Sequence, residues 1–366
     1  MRAERDARLR VIRFGRVPPL RSQTLWHAIA EGVSGGAPAT LSFMRPDSPY
    51  VSVGYHHDLG QVDLDACRRA GLPVYRRVVG GGAVYLDEGQ LFFQITVAAA
   101  DLPPARHDAL SRLLTPALAA FAAAGLPAHL ERSGDILVGD RKVCGHGAGQ
   151  IGNAVVVVGN LIERFDHETA AGLVRTPGSA AAAEALRLMR RYVGPEEGSP
   201  VDPVAFEHAA VRSYAEALGR EPFEGELTGA EQEALATWDR RLASAEWQAG
   251  PAPRRQAAWQ LKVRSGVYVV AAEHAGARVE ASVVDGRLDE VRLEDPEASG
   301  GASAAVQALR GRPLAEVPAV LADLGRAGRR LSAAFAAASG GEVAAASGGE
   351  VATASGTRAA SSTEAR

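Results

Sequence analysis

The chain mixes short apolar segments of period two with longer segments of helical spacing. Leu9-Arg10-Val11-Ile12-Arg13-Phe14 alternates in part and predicts a strand, whereas residues 24–33 carry the spacing of an amphipathic helix. Residues 39–44 and 50–55 read as strands bounded by Pro and Gly turns. Residues 62–70 predict a short helix holding Cys67, and residues 72–79 a strand that runs into Gly80-Gly81-Gly82. Ala83-Val84-Tyr85 follows, then a turn at Asp87-Glu88-Gly89-Gln90 and a strong strand over 91–97. Residues 106–124 form a long apolar helix. Ile136-Leu137-Val138, a hairpin turn at Gly139-Asp140, Arg141-Lys142-Val143-Cys144 and residues 154–162 continue a sheet, and helices are expected over 168–174, 180–192 and 203–218. The pattern predicts an α+β fold, with mixed, largely antiparallel sheets flanked by helices.

Residues 1–225 read as one domain and 226–255 as a linker region, softest at Gln248-Ala249-Gly250-Pro251-Ala252-Pro253-Arg254-Arg255. Residues 256–335 predict a small α+β domain with three or four short strands, a tight hairpin at Asp285-Gly286, and helices near 302–309 and 314–324. In the last stretch Ala337-Ala338-Ser339-Gly340-Gly341-Glu342-Val343-Ala344 recurs directly as residues 345–352. Such an Ala/Ser/Gly-rich tail, 336–366, buries too little apolar surface to offset its ordering entropy and is expected to be disordered.

Composition narrows the classes. Apolar residues make up 46% and charged residues 23% of 366, the usage of a soluble globular protein. The sequence shows no run of about 18 uncharged apolar residues, so no membrane association is expected. The charged start Met1-Arg2-Ala3-Glu4-Arg5-Asp6 lacks the apolar core of a signal peptide. Cys67 and Cys144 are the only cysteines, which excludes a disulfide scaffold and makes a cytoplasmic location the expectation. A net charge of −3 argues against a dedicated nucleic-acid binder. Of 40 basic residues only Lys142 and Lys262 are lysines. A background that favours Arg has kept two Lys, and one lies inside a chemical motif.

Two segments can carry chemistry. In Arg76-Arg77-Val78-Val79-Gly80-Gly81-Gly82-Ala83-Val84-Tyr85, three glycines after a strand let backbone N–H groups approach an anion, and a preceding Arg can pair with phosphate. A Gly-rich hairpin with a solvated Arg pair fits the same residues. The segment is not a P-loop, since no Gly-Lys-Ser/Thr follows. The second segment is Ser133-Gly134-Asp135-Ile136-Leu137-Val138-Gly139-Asp140-Arg141-Lys142-Val143-Cys144-Gly145-His146-Gly147-Ala148-Gly149. Lys142 is a compact charge able to reach a carboxyl or phosphoryl oxygen, and the small residues after it leave room for a ligand chain. An exposed Lys on a hairpin is the alternative. Asp135 suits a magnesium ion, a nucleotide amine, or simply a turn.

Together the two segments resemble the lipoate–protein ligase family, within the biotin and lipoate protein ligases. Its pattern of two arginines, two residues, three glycines, Ala-Val and an aromatic, then an acid and Gly-Asn, stands here as residues 76–85 with Asp87 and Gly89-Gln90. Its lysine motif stands as Asp140-Arg141-Lys142-Val143-Cys144-Gly145. The likeness runs over about residues 9–325, its last part resembling the family's fused accessory domain. The chain departs from the pattern at Val79 (Ser or Thr in the family), Leu86 (His), Gln90 (Asn) and Gly134 (Asn).

The resemblance implies activation of lipoate or octanoate with ATP and Mg2+ as an acyl-adenylate, then transfer to a lysine of a lipoyl-domain carrier protein, by a monomer or weak oligomer. By that resemblance Lys142 is the catalytic cation, binding both the acid carbonyl and the α-phosphate. Arg77, Gly80, Gly81, Gly82, Ala83, Val84 and Tyr85 would hold the nucleotide, with Asp135 placing adenine or magnesium. Val51, Val53, Phe92 and Val155 would line the acyl tunnel. Related octanoyltransferases work without ATP through a cysteine thioester, and strand alternation would put Cys144 on the face of Lys142. The alternatives are therefore an ATP-independent transferase acting through Cys144, and a non-catalytic carrier-binding homologue. Cys67 reads as core. His146 and the pair His56-His57 lack a third ligand at metal spacing, so no metal cluster is expected.

Overall fold

The computed structural model describes residues 7–131, 134–251, 258–296 and 301–339. The chain divides into two compact units, Met1–Val269 and Val270–Arg366.

The first unit carries strands β1 (Arg8–Val17), β2 (Ala39–Pro46), β3 (Tyr50–Val53), β4 (Val74–Arg76), β5 (Ala83–Leu86), β6 (Gln90–Ala98), β7 (His129–Leu130), β8 (Ile136–Val138), β9 (Arg141–Cys144), β10 (His146–Ile151), β11 (Ala154–Ile162), β12 (Glu221–Glu224) and β13 (Trp259–Arg264). Its helices are α1 (Pro19–Ser34), α2 (Leu64–Arg69), α3 (Arg106–Ala123), α4 (His167–Gly172), α5 (Ser179–Tyr192), α6 (Pro203–Leu218), α7 (Gly229–Ala243) and α8 (Ala245–Ala249). A six-stranded sheet in the order β10-β11-β6-β2-β1-β12 forms the centre. The apolar runs of β6 and β11 pair antiparallel from Ala98↔Ala154 to Gln90↔Ile162. β1 pairs parallel with both β2 and β12, so the sheet is mixed. Helices α3 and α6 cover one face through Leu113, Leu114, Phe121, Phe206 and Tyr214, which pack on Leu41, Phe93 and Ile95. Helix α1 covers the other face and meets β2, β6, β10 and β11. Both faces of β6 are buried, so Phe92, Gln94 and Thr96 are enclosed as fully as Leu91, Phe93, Ile95 and Val97. Two small sheets, β4-β3-β5 and β7-β8-β9, carry the glycine and lysine segments.

Much of the 226–255 stretch is helical. Thr228 and Glu231 form a capping box at the start of α7. Leu235, Trp238 and Leu242 are buried at helical spacing. α7 packs on α1, where Trp238 Nε1 donates to Glu31 Oε1 at 2.7 Å. Arg10 and Glu231 form a buried, two-pronged pair, Nη1–Oε2 at 2.8 Å and Nη2–Oε1 at 2.5 Å. The helix looks like a linker in sequence because three apolar residues stand among charged ones, enough for a narrow buried stripe. Gln248 and Ala249 belong to α8, and residues 252–257 lie outside the described residues.

The second unit begins inside β14 (Val267–His274) and adds β15 (Ala277–Val284) and β16 (Arg287–Glu294), followed by α9 (Gly301–Leu309), α10 (Val317–Leu321) and α11 (Gly325–Ala338). β15 and β16 pair antiparallel around Asp285-Gly286, whose φ values of +47° and +80° fit the expected tight turn. α11 buries Leu331, Ala334 and Phe335 and reaches Ala338, two residues past the expected start of the tail. Residues 340–366 lie outside the described residues. No helix among the described residues is long and apolar enough to cross a membrane.

Candidate functional site

The glycine segment leaves β4 and folds back as β5, and Arg77 organises the turn. Its guanidinium donates to Gly80 O (Nη2, 2.8 Å), Gly82 O (Nη2, 2.8 Å), Ser52 O (Nη1, 2.8 Å) and, through Nε, Gly80 O at 3.1 Å. Burial lowers its pKa to about 10, which leaves it charged at neutral pH. The cation expected to meet phosphate is thus directed at the loop's own carbonyls. Arg76 is 1% exposed and donates to Gly54 O, Tyr55 O and His57 O at 2.9, 2.7 and 3.0 Å. The two strand-end loops touch so closely that a Cβ at Gly54 would fall 2.0 Å from Gly81 O. Nothing lies within 4 Å of a Cβ built at Gly80 or Gly82, so both backbones are open. In β5, Ala83 and Tyr85 pack toward the cluster of Val51, Val53 and Leu72, while Val84 is 42% exposed.

Lys142 stands on β9 with its Nζ 2.9 Å from Asp135 Oδ1. The second oxygen, Oδ2, accepts the Ser265 N–H at 2.7 Å. Burial raises the Asp135 pKa, but Lys142 and the Ser265 hydrogen bond outweigh it and hold the carboxyl at about 2. Arg141 fixes the strand start from the other side, donating to Arg190 O, Arg191 O, Val193 O and Gly194 O at the end of α5. The β8–β9 register jumps from Leu137↔Lys142 to Ile136↔Cys144, leaving Val143 as a bulge. Simple alternation therefore fails here. Val143 and Cys144 are both fully buried in the main core. Burial pushes the Cys144 thiol up to about 12. Cys67, expected as core, is 2% exposed and its thiol is also raised by burial.

The two segments meet. A Cβ at Gly145 would lie 3.8 Å from Lys142 Cε and 3.6 Å from Asn160 Oδ1. Asn160 Oδ1 accepts the Gly145 N–H at 2.6 Å, and Asn160 Nδ2 donates to Gln90 Oε1 at 2.7 Å. Gln90 Nε2 then reaches Tyr85 O at 3.3 Å. Val79 lies over the glycines of β10: Cβ atoms at Gly147 and Gly149 would come within 3.1 and 3.3 Å of its methyls. Trp26, Val79 and Val156 make one apolar cluster. The four residues expected to line a tunnel do not share a space. Val51 and Val53 belong to one cluster, Phe92 to a second, and Val155 packs against a third. Sequence reading missed Asn160, Trp26 and Ser265. Asn160 is the one signalled, a lone polar residue in the run 154–162.

His146 packs on Gly134, and its Nδ1 is buried without a hydrogen-bond partner. Burial and Lys142 lower its pKa. Among the described residues no three His, Cys, Asp or Glu side chains gather as a metal site. Asp135, the carboxylate offered for magnesium, has both oxygens on protein donors, so the residues present do not form a metal seat.

Residues 18–194 match the profile of the lipoyl protein ligase A/B catalytic domain. They belong to that family. Octanoyltransferase LipM of Symbiobacterium thermophilum is 28% identical over 239 residues, 57% of this chain and 85% of its own. Two solved structures share the fold. One is from an archaeal lipoylation system, a bi-partite lipoate protein ligase and its E2 lipoyl domain from Thermoplasma acidophilum. It matches at 22% identity and TM-score 0.61, over 68% of this chain and 98% of that one. The other is lipoate-protein ligase A bound with ATP, at 22% identity and TM-score 0.57 over 67% and 98%. The lipoyl ligase-type domain thus contains both the glycine and lysine segments.

Proposed function

We propose that the chain is an ATP-dependent ligase that activates lipoate or octanoate as its acyl-adenylate and passes the acyl group to a lysine of a lipoyl-domain carrier. The observation that carries this reading is the contrast between Lys142 and the two cysteines. The Lys142 side chain is 20% exposed, while Cys144 is fully buried and Cys67 nearly so. A thioester route needs an accessible thiolate, and burial disfavours one at both positions.

The residues fit the task. Attack of a carboxylate on the α-phosphorus brings negative charges together, and a fixed cation lowers that barrier. Lys142 has three N–H donors. Asp135 takes one, which leaves two for the acid's carbonyl oxygen and an α-phosphate oxygen. The open backbones of Gly80 and Gly82 suit the close approach of an anion. The apolar cluster of Trp26, Val79 and Val156, beside two glycines, suits an acyl chain. Magnesium would enter with the nucleotide, since both oxygens of Asp135 are already on protein donors.

Acid-dependent exchange of pyrophosphate into ATP, run with lipoate, octanoate and biotin, tests the reading. Exchange with lipoate or octanoate, lowered about a hundredfold or more in Lys142→Ala, supports it. Absence of exchange with every acid overturns it. The relative named octanoyltransferase favours a second reading, transfer without ATP. Intact-mass detection of an acyl group on Cys144, from an acylated carrier and without ATP, would establish that route.

A further inference from the structure

The resemblance implies that Asp135 places adenine or magnesium, yet the side chain is almost wholly buried. It is 5% exposed, with Oδ1 on the Lys142 ammonium at 2.9 Å and Oδ2 on the Ser265 N–H at 2.7 Å. A lysine side chain turns about four flexible bonds and samples many rotamers, and a catalytic charge is useful only where it is aimed. The backbone at Lys142 is already fixed by the Arg141 contacts and the Val143 bulge, which leaves the ammonium as the part still to be placed. We propose that Asp135 is a positioning residue for Lys142, itself held in register by the Ser265 amide, and not a ligand of nucleotide or metal. The proposal rests on the role of Lys142 given above.

Three observations support it. The carboxyl stays ionised down to about pH 2, so it remains a counter-ion at any working pH. Lys262, the chain's only other lysine, also acts on Asp135 from β13. Ser265 lies in the turn between β13 and β14, anchored by Arg264 Nε donating to Asp140 O at 2.9 Å. The lysine segment is thus held at Asp135 and Asp140, five residues apart, by the last residue of β13 and the first of the turn after it. Residues near 260 therefore complete a site whose motifs all lie before residue 160.

The presence of only two lysines makes the proposal testable without activity. In the full chain labelled with 15N-lysine, Lys142→Arg assigns the two side-chain ammonium signals. Asp135→Asn should shift the Lys142 signal and speed its exchange with water. An unmoved signal overturns the proposal. Ser265→Pro removes the amide donor, with Ser265→Ala as the control for loss of the hydroxyl. Ser265 has negative φ and precedes Gly266 at +80°, the pattern of a type II turn that accepts Pro at that position. It should move the same signal in the same direction, by less; no movement removes Ser265 from the relay.

In the exchange assay, Asp135→Asn should lower kcat about tenfold or more with KM for ATP within about twofold, and Asp135→Glu should recover part of the loss. A raised KM for ATP at unchanged kcat would return Asp135 to nucleotide binding and overturn the proposal. If the wild-type chain catalyses no exchange, the ligase reading falls, and the lysine signals alone decide the pairing.

Discussion

Lys142 and Cys144 stand two residues apart on one strand and face opposite surroundings: the lysine reaches Asp135, and the cysteine is sealed in the core. The cause is the single extra residue Val143, which breaks the β8–β9 register. Without the bulge, strand alternation would put Cys144 on the face of Lys142.

Cys144→Ala should leave acyl transfer within about twofold of wild type. It should cost about 1–2 kcal/mol of stability, because it empties part of a packed site. Native protein should also react with a thiol reagent far more slowly than unfolded protein, at both cysteines. A rapid stoichiometric reaction at Cys144 would contradict the buried geometry.

Asn160 joins the glycine and lysine segments through Gly145 and Gln90. Asn160→Leu keeps the branched shape but strands the Gly145 N–H and the Gln90 Oε1. Leaving two buried polar groups unpaired costs about 2–4 kcal/mol. Urea unfolding measures this, and the activation rate should fall at the same time.

His27 is fully buried between Trp26 and Trp238, with neither ring nitrogen hydrogen-bonded. Burial lowers its pKa from 6.5 to about 3. The unfolded chain therefore binds a proton between these values that the folded chain refuses. Stability is unaffected above pH 6.5 and falls as pH drops through the window, by about 2 kcal/mol at pH 5. His27→Phe should flatten the acid limb of a stability profile measured from pH 7 to 4.

The Arg10–Glu231 pair tests whether α7 is integral to the first unit. Arg10→Met alone strands a buried carboxylate and should cost about 3–5 kcal/mol. Adding Glu231→Leu should restore most of the loss. A small effect of the single change would mean that 226–255 behaves as a tether.

The sequence carried the broad fold and the two motifs because these rest on local signals. Asp285-Gly286 specifies its hairpin, and Gly80-Gly81-Gly82 marks a backbone that must approach other atoms closely. What stayed hidden depended on distant residues. The Val143 bulge is set by the partner strand, and nothing within Arg141-Lys142-Val143-Cys144 announces it. The Ser265 amide meets Asp135 across 130 residues of chain, and a backbone donor has no sequence signature. Helix α7 was obscured for a different reason: its anchor, Glu231, is charged and becomes a core residue only opposite Arg10.

Arg77 has one further consequence. Its guanidinium is committed to the carbonyls of Ser52, Gly80 and Gly82 before any ligand arrives. The glycine loop is therefore shaped during folding and not during capture. Nucleotide association should then be a single fast phase whose rate rises linearly with concentration, with no slow isomerisation behind it.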